Sequence, residues 1–138
     1  MSSPYLALDI GLRHTGVALS ESGRIAQPLT TVTWTPPHAN PMLEAVVKLC
    51  KEYEIATILV GIPWEEDGTA TAQSLRTEGL LSRLETLLTA SNLTPVIIKA
   101  NEYLTTQDAL QRFPGTDKDA AAAAVLLQDY LDENGLAW

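Results

Sequence analysis

The fold is decided by the stretch Tyr-Leu-Ala-Leu-Asp-Ile-Gly-Leu-Arg-His-Thr-Gly-Val-Ala-Leu-Ser at residues 5–20. Two apolar runs, Tyr5–Ile10 and Gly16–Ser20, flank a short polar turn, and their composition favours strands. A third run, Ile25–Trp34, follows the turn residues Ser20-Glu21-Ser22-Gly23. The second and third strands are therefore expected to form a hairpin.

Beyond Trp34 the pattern alternates between helix and strand. Asn40-Pro41 is a good helix start, and apolar residues then recur at helical spacing as far as Cys50. The remaining elements are two strands and three helices: strands Thr57–Ile62 and Pro95–Ala100, and helices from about 71 to 89, from about 105 to 112 and over Asp117–Asp132. Crossover helices make the later strands parallel to the first. The sequence predicts one α/β domain over residues 1–138, with a mixed sheet.

The composition excludes several classes of protein. A chain of 138 residues with 46% hydrophobic and 19% charged residues is typical of a globular domain rather than a disordered tail. Its single cysteine, Cys50, cannot form an internal disulfide and is expected to be a small core residue. No apolar stretch is long enough to cross a bilayer, and the N-terminus lacks the pattern of a signal peptide. We expect a cytoplasmic protein without membrane contacts.

The charge balance is acidic. There are 17 Asp and Glu against 9 Lys and Arg, a net charge of −8. That sign is unfavourable for a nucleic-acid binder, because phosphate contacts require cationic side chains. Much of the surplus lies in Glu65-Glu66-Asp67 and in the C-terminal acids Asp129, Asp132 and Glu133, where it is best interpreted as a solubility feature.

Two acids stand where acids are unusual. Asp9 ends an otherwise apolar strand, where an ionised carboxylate is costly unless something pairs with it. A turn-stabilising role for Asp9 is an equally good interpretation on this residue alone. Glu102 follows the strand Pro95–Ala100, and by itself it is better explained by a helix start nearby. Both acids nevertheless fall at the carboxyl edge of the sheet, where sites in such folds collect.

The last helix supplies a third acid. At about 100° per residue, Asp119 falls within the apolar arc of this helix, formed by Ala123, Leu126, Leu127, Tyr130 and Leu131. Asp117 lies about 160° away from Asp119 on the polar side, which is typical of a helix N-cap. Three converging carboxylates repel one another unless cations bind between them. Mg²⁺ or Mn²⁺ suits such oxygen ligands, and two ions would support phosphodiester hydrolysis by water.

Nearly the whole chain resembles the YqgF/RuvX family of ribonuclease-H-like proteins, pre-16S rRNA nucleases also described as Holliday-junction resolvases. Five motifs carry the resemblance in order: Asp9–Ala18, Gln27-Pro28-Leu29, Val60–Pro63 with Asp67-Gly68, Glu102–Thr106, and Asp119–Leu131. The resemblance implies a ribonuclease-H-like fold, with a five-stranded mixed sheet and helices on both faces. It also implies that Asp9, Glu102 and Asp119 are the catalytic, metal-binding acids.

The chain departs from the family pattern at cationic positions. His14 stands where the family usually has Arg, and Asn101 and Tyr103 flank Glu102 in place of Asp and Arg. Tyr103 is a candidate for stacking on a base, although a tyrosine packed at a loop edge explains it equally well. The candidates for phosphate contact are the arginines Arg13, Arg76 and Arg83.

The leading hypothesis is a divalent-metal-dependent endonuclease that processes the 5′ end of pre-16S rRNA in ribosome biogenesis. A resolvase of branched DNA would use the same chemistry, so the sequence leaves this alternative open. An ATPase of the actin-like class shares the Asp-x-Gly turn but usually pairs two such domains. A nucleic-acid-binding protein with a decayed site is the remaining alternative. The alanine run Ala120–Ala124 allows close helix packing within a monomer, or a homodimer.

Overall fold

In the computed structural model of the chain, which describes residues 3–102 and 106–136, three strands precede alternating helices and strands. The strands are β1 (Tyr5–Ile10), β2 (His14–Ser20), β3 (Gln27–Thr33), β4 (Thr57–Ile62) and β5 (Val96–Asn101). The helices are α1 (Asn40–Glu52), α2 (Ala72–Ala90), α3 (Thr106–Arg112) and α4 (Lys118–Glu133). The order of elements agrees with the sequence prediction.

The five strands form a mixed sheet in the order β3-β2-β1-β4-β5. β2 runs antiparallel to both β1 and β3, whereas β1, β4 and β5 are parallel, as the hairpin and the crossover helices predict. β2 begins at His14, two residues earlier than predicted. The reason is a tight turn, in which the Gly11 amide donates to the His14 carbonyl at 2.9 Å and the pair Ile10–Thr15 joins the ladder.

Helices α1 and α2 cover one face of the sheet. Large aliphatic side chains fill this layer, among them Leu6, Leu8 and Ile58 of the strands and Leu84 of α2, all fully buried. The helical spacing of leucines in α2 predicts four core residues, Leu80, Leu84, Leu87 and Leu88. Of these, Leu84 and Leu88 are buried and Leu80 and Leu87 only partly so, whereas Leu81 is also buried. Cys50 is buried in the same core, which raises the pKa of its thiol to about 11, so its prediction as a core residue is confirmed.

Helix α4 covers the opposite face, with α3 packed on its outer side, so the prediction of helices on both faces is confirmed. The contact layer between α4 and the sheet is rich in small residues, with Ala7 and Ala18 of the strands and Ala123 and Ala124 of the helix in one buried cluster. Small side chains let a helix backbone approach a sheet closely. Within residues 3–102 and 106–136, no helix has both the length and the apolar character needed to cross a membrane.

Candidate active site

Asp9 is the penultimate residue of β1, and its side chain lies on the α4 side of the sheet. It pairs directly with Gly16 of β2, and α4 begins above this glycine. The alternation along β1 places Ile10 on the other side, in the core beneath α1 and α2. A partly buried carboxylate therefore lies near the C-terminal end of β1, as the sequence predicts.

Glu102 reaches the same place from β5. Its amide donates to the Ile62 carbonyl at 3.1 Å, which continues the β4–β5 ladder by one residue and holds the Glu102 backbone at the sheet edge. Its carboxylate lies over Gly61 of β4 and shares a hydrogen bond with the side chain of Asp9. The structure therefore brings together two acids that are 93 positions apart in the sequence.

The two carboxyl groups perturb each other. Burial raises the pKa of Glu102 to about 9, with a further contribution from the neighbouring Asp9 charge. Burial also raises the pKa of Asp9, while the hydrogen bond from Glu102 lowers it and the charge of Asp119 raises it. Because the two carboxyl groups are hydrogen bonded and each affects the titration of the other, the pair as a whole carries one proton at neutral pH.

Asp119 lies in the first turn of α4 and is partly buried rather than facing bulk solvent. Its charge is close enough to raise the pKa of Asp9. The carboxylate of Asp117 caps the helix, because it accepts a hydrogen bond from the Asp119 amide at 2.9 Å. The hydroxyl of Thr31 on β3 donates to the same Asp117 side chain at 2.7 Å, which ties the start of α4 to the sheet.

The three acids lie at the same edge of the sheet, but they do not have the geometry of a complete metal site. Among the described residues, no group of three or more His, Cys, Asp and Glu side chains has the arrangement of a metal site. Asp9 and Glu102 are in direct contact, whereas Asp119 acts on Asp9 only through its charge. Asp119 must therefore turn further inward for all three carboxylates to share one ligand.

The predicted phosphate contacts lie at different distances from these acids. Arg13 is exposed in the turn between β1 and β2. Arg76 donates to the Gln73 side chain at 2.7 Å, and Gln73 in turn donates to the Ile10 carbonyl at 3.3 Å, so Arg76 is connected to the end of β1. Arg83 lies two turns further along α2 and bonds the side chain of Asn40. The predicted base-stacking residue, Tyr103, lies outside the described residues.

The contacts of two glycines in the site were not predicted from the sequence. Gly61 was not singled out, although Glu102 lies over it. Gly16 was predicted to begin the second strand beside the turn, whereas it lies two residues inside β2 and meets the backbone of α4. A glycine inside a strand commonly marks the close approach of another backbone, and that signal would have found both.

The sheet order and the helices on its two faces define the class of this protein as a ribonuclease-H-like fold. Thermus thermophilus RuvC in complex with a Holliday junction substrate matches with a TM-score of 0.62 over 97% of both chains, at 10% identity. The yeast mitochondrial Holliday junction resolvase Ydc2 matches with a TM-score of 0.58 over 99% of this chain and 80% of its own, at 13% identity. At these identities the likeness shows the fold.

The family follows from the sequence comparisons. The model of the family described as "RuvX: Holliday junction resolvase" matches residues 3–133. Proteins named "Putative pre-16S rRNA nuclease" are 31% identical in Roseiflexus sp., over 92% of both chains, and 33% identical in Acetivibrio thermocellus, over 94% of this chain and 96% of the relative. The chain belongs to the RuvX family, and the predicted resemblance to this family is confirmed. This membership makes it a nuclease, a hydrolase of phosphodiester bonds.

Proposed function

We propose that this protein is a divalent-metal-dependent endonuclease that trims the 5′ end of 16S rRNA precursors in the cytoplasm. The observation that carries the proposal is the contact between the carboxyl groups of Asp9 and Glu102 at the carboxyl edge of the sheet, with Asp119 on α4 near enough to act on Asp9 through its charge. Nothing in ordinary packing requires two acids to be buried against each other, because the arrangement costs free energy when both are charged.

The donor set fits a hard cation. Carboxylate oxygens are the ligands that Mg²⁺ and Mn²⁺ prefer, and a cation between Asp9 and Glu102 would replace the proton that the two groups share. Asp9, Glu102 and Asp119 are the residues that would hold it, and we propose two ions. When bound, such ions would stabilise the charge that develops as water attacks phosphorus and the leaving oxygen departs.

The rest of the site would hold the nucleic acid. We propose that Arg13 and Arg76 contact phosphates on either side of the end of β1, because both lie at that edge of the sheet. Arg83 would reach the backbone only further from the acids, and Tyr103 would stack on a base. The exposed acids Glu65, Glu66 and Asp67 follow β4 at the same edge and would repel a strand that came too close to them.

A branched DNA substrate is the second candidate. It is favoured by the description of the matching family model and by the fold shared with resolvases that hold Holliday junctions. Metal and phosphate geometry are the same for both substrates, so the acids cannot distinguish them.

A side-by-side cleavage assay tests the proposal. The protein is incubated with Mn²⁺ and either a 16S precursor transcript or a four-way DNA junction, and Asp9→Asn is the control variant. We expect metal-dependent cleavage of the RNA that the variant lacks. Preferential cleavage of the junction would support the second candidate, and binding without any cleavage would support a decayed nuclease.

A further inference from the structure

Asp9 is flanked by a glycine on each neighbouring strand. Gly16 of β2 pairs with it directly, and Gly61 of β4 stands one position beyond the pair formed by Leu8 and Val60. Both glycines lie on the α4 side, the side to which Asp9 also points. A row of three residues across the sheet thus carries one carboxylate and no other side chain.

The backbone at the start of α4 lies directly above Gly16, in the space that a side chain would occupy. A Cβ atom at this position would overlap the backbone carbonyl of Asp119 and lie 3.0 Å from the backbone nitrogen of Ala120. Backbone atoms of a packed helix cannot move aside as the end of a flexible side chain can. The first turn of α4 therefore reaches its depth over β2 only because residue 16 has no side chain.

The carboxylate of Glu102 lies above Gly61 in a similar way, but at a larger distance from the position of the missing Cβ atom. A Cβ atom there would lie 3.0 Å from Oε2 of Glu102 and 2.9 Å from Cδ2 of Leu126. Both neighbours are ends of side chains, so the fold can accommodate an alanine, but the carboxylate must then move. By contrast, a Cβ atom at Gly68, Gly79, Gly115 or Gly135 would meet nothing within 4 Å.

We propose that Gly16 and Gly61 are positioning residues of the nuclease, which set how closely Asp119 and Glu102 approach Asp9. The inference rests on the proposed function, because it concerns a site in which all three carboxylates act together. Neither glycine touches substrate or metal in this scheme, and each acts through the acid that lies over it.

The test adds one methyl group beside Glu102 and relieves its other contact. Gly61→Ala is made in a Leu126→Ala background, so that Leu126→Ala alone is the matched reference and the pair differs only by the Cβ at position 61. Gly79→Ala is the control for a glycine with open space around it. Mn²⁺ binding to the full chain without nucleic acid is measured by titration calorimetry, and both metal-free proteins are crystallised.

We expect the double variant to bind Mn²⁺ about tenfold more weakly than Leu126→Ala, the scale typical for residues that orient metal ligands. Gly79→Ala is expected to bind like the unmodified protein. Equal affinity of the double variant and its reference would overturn the positioning role.

The crystal structures separate this inference from the proposed function. If Leu126→Ala and the unmodified protein bind no Mn²⁺, the metal-dependent mechanism fails, and the position of the Glu102 carboxylate then decides the inference alone. Displacement of that carboxylate from Asp9 in the double variant supports the positioning role. An unmoved carboxylate overturns it.

Discussion

The two faces of the sheet are packed differently. Under α1 and α2 the strands present Leu6, Leu8 and Ile58, large side chains that fill the space between the layers. Under α4 the buried cluster mixes larger residues such as Leu59 and Leu127 with alanines of the strands and of the helix, among them Ala7, Ala18 and Ala123. The first arrangement buries apolar volume, which stabilises the fold. In the second arrangement the small side chains let the backbone of α4 lie close to the sheet, so the position of the helix depends directly on the strands beneath it.

The contrast is sharpest where the strands end. On β1 the successive residues Asp9 and Ile10 face α4 and the aliphatic core respectively, and on β4 the successive residues Gly61 and Ile62 divide in the same way. One face thus ends in buried isoleucines and the other in a carboxylate beside a glycine. The face under α1 and α2 therefore only stabilises the fold, whereas the face under α4 both stabilises the fold and positions charged groups.

The largest expected effect concerns the charge on the α4 face. Asp9→Asn should reduce cleavage by roughly a thousandfold, because it removes a ligand worth several kcal/mol of transition-state stabilisation. The melting temperature should stay the same or rise, since the variant removes a buried charge and its repulsion with Asp119. Single-turnover cleavage and thermal melts measure the two quantities. Asp129→Asn, which loses only an exposed ion pair with Arg112, is the control and should cleave normally.

Stability variants on the two faces should separate folding from function. Leu84→Ala leaves a cavity under α2 and should lower the free energy of unfolding by about 2–5 kcal/mol, with unchanged cleavage below the melting transition. Gly16→Ala should lower it by about 3 kcal/mol through overpacking, and should also weaken cleavage because the start of α4 is lifted. Denaturant unfolding and cleavage rates at low temperature test this pair. Equal cleavage by both variants would remove the functional distinction between the faces.

The acid pair should make the stability of the metal-free protein depend on pH. The pKa of Glu102 is raised from its ordinary value of 4.5 to about 9, so the folded protein retains a proton that the unfolded chain releases. The resulting stabilisation is full below about pH 4.5 and is lost as the pH rises towards 9. Melting temperatures in EDTA at pH 5, 7 and 9 should therefore fall more steeply for the unmodified protein than for Glu102→Gln. Parallel profiles would contradict the shared proton.

The smallest expected effect tests how α4 is held at its start. Asp117→Ala removes the N-cap of α4 and the acceptor of the Thr31 hydroxyl, and should cost about 1 kcal/mol of stability. Asp117→Asn, which keeps a capping oxygen, should cost less. Chemical denaturation of both variants measures the difference. If the two variants were indistinguishable, the capping oxygen would not contribute, and the close approach over Gly16 alone would hold the start of α4 in place.

Much of the fold could be predicted from the sequence, because the period of the apolar residues reveals strands and helices directly. The partly buried position of Asp119 could also be predicted, since a helix fixes the angle between Asp119 and its apolar neighbours. Register across the sheet could not, because it depends on which residues of distant strands come to lie side by side. For that reason the sequence pointed to Asp9 and Glu102 but not to Gly61 between them.

The buried face of α2 shows a second limit. The sequence favoured Leu80 and Leu87 for the core beside Leu84 and Leu88. Leu81 is instead more deeply buried than either Leu80 or Leu87. Several leucines lie near the same stripe, so small rotations of the helix decide which of them faces the sheet. That rotation is set by packing against α1 and β4, which a local pattern does not contain.

Diffraction from crystals soaked in Mn²⁺ shows whether the three acids bind a metal ion together, because anomalous scattering locates the ion without reference to activity. We expect a peak at the carboxyl edge of the sheet within roughly 2.0–2.3 Å of carboxylate oxygens of Asp9 and Glu102, with Asp119 turned inward to meet it. A peak confined to the acidic segment at residues 65–67, or an ion at Asp9 that Asp119 does not reach, would contradict a metal site shared by the three acids.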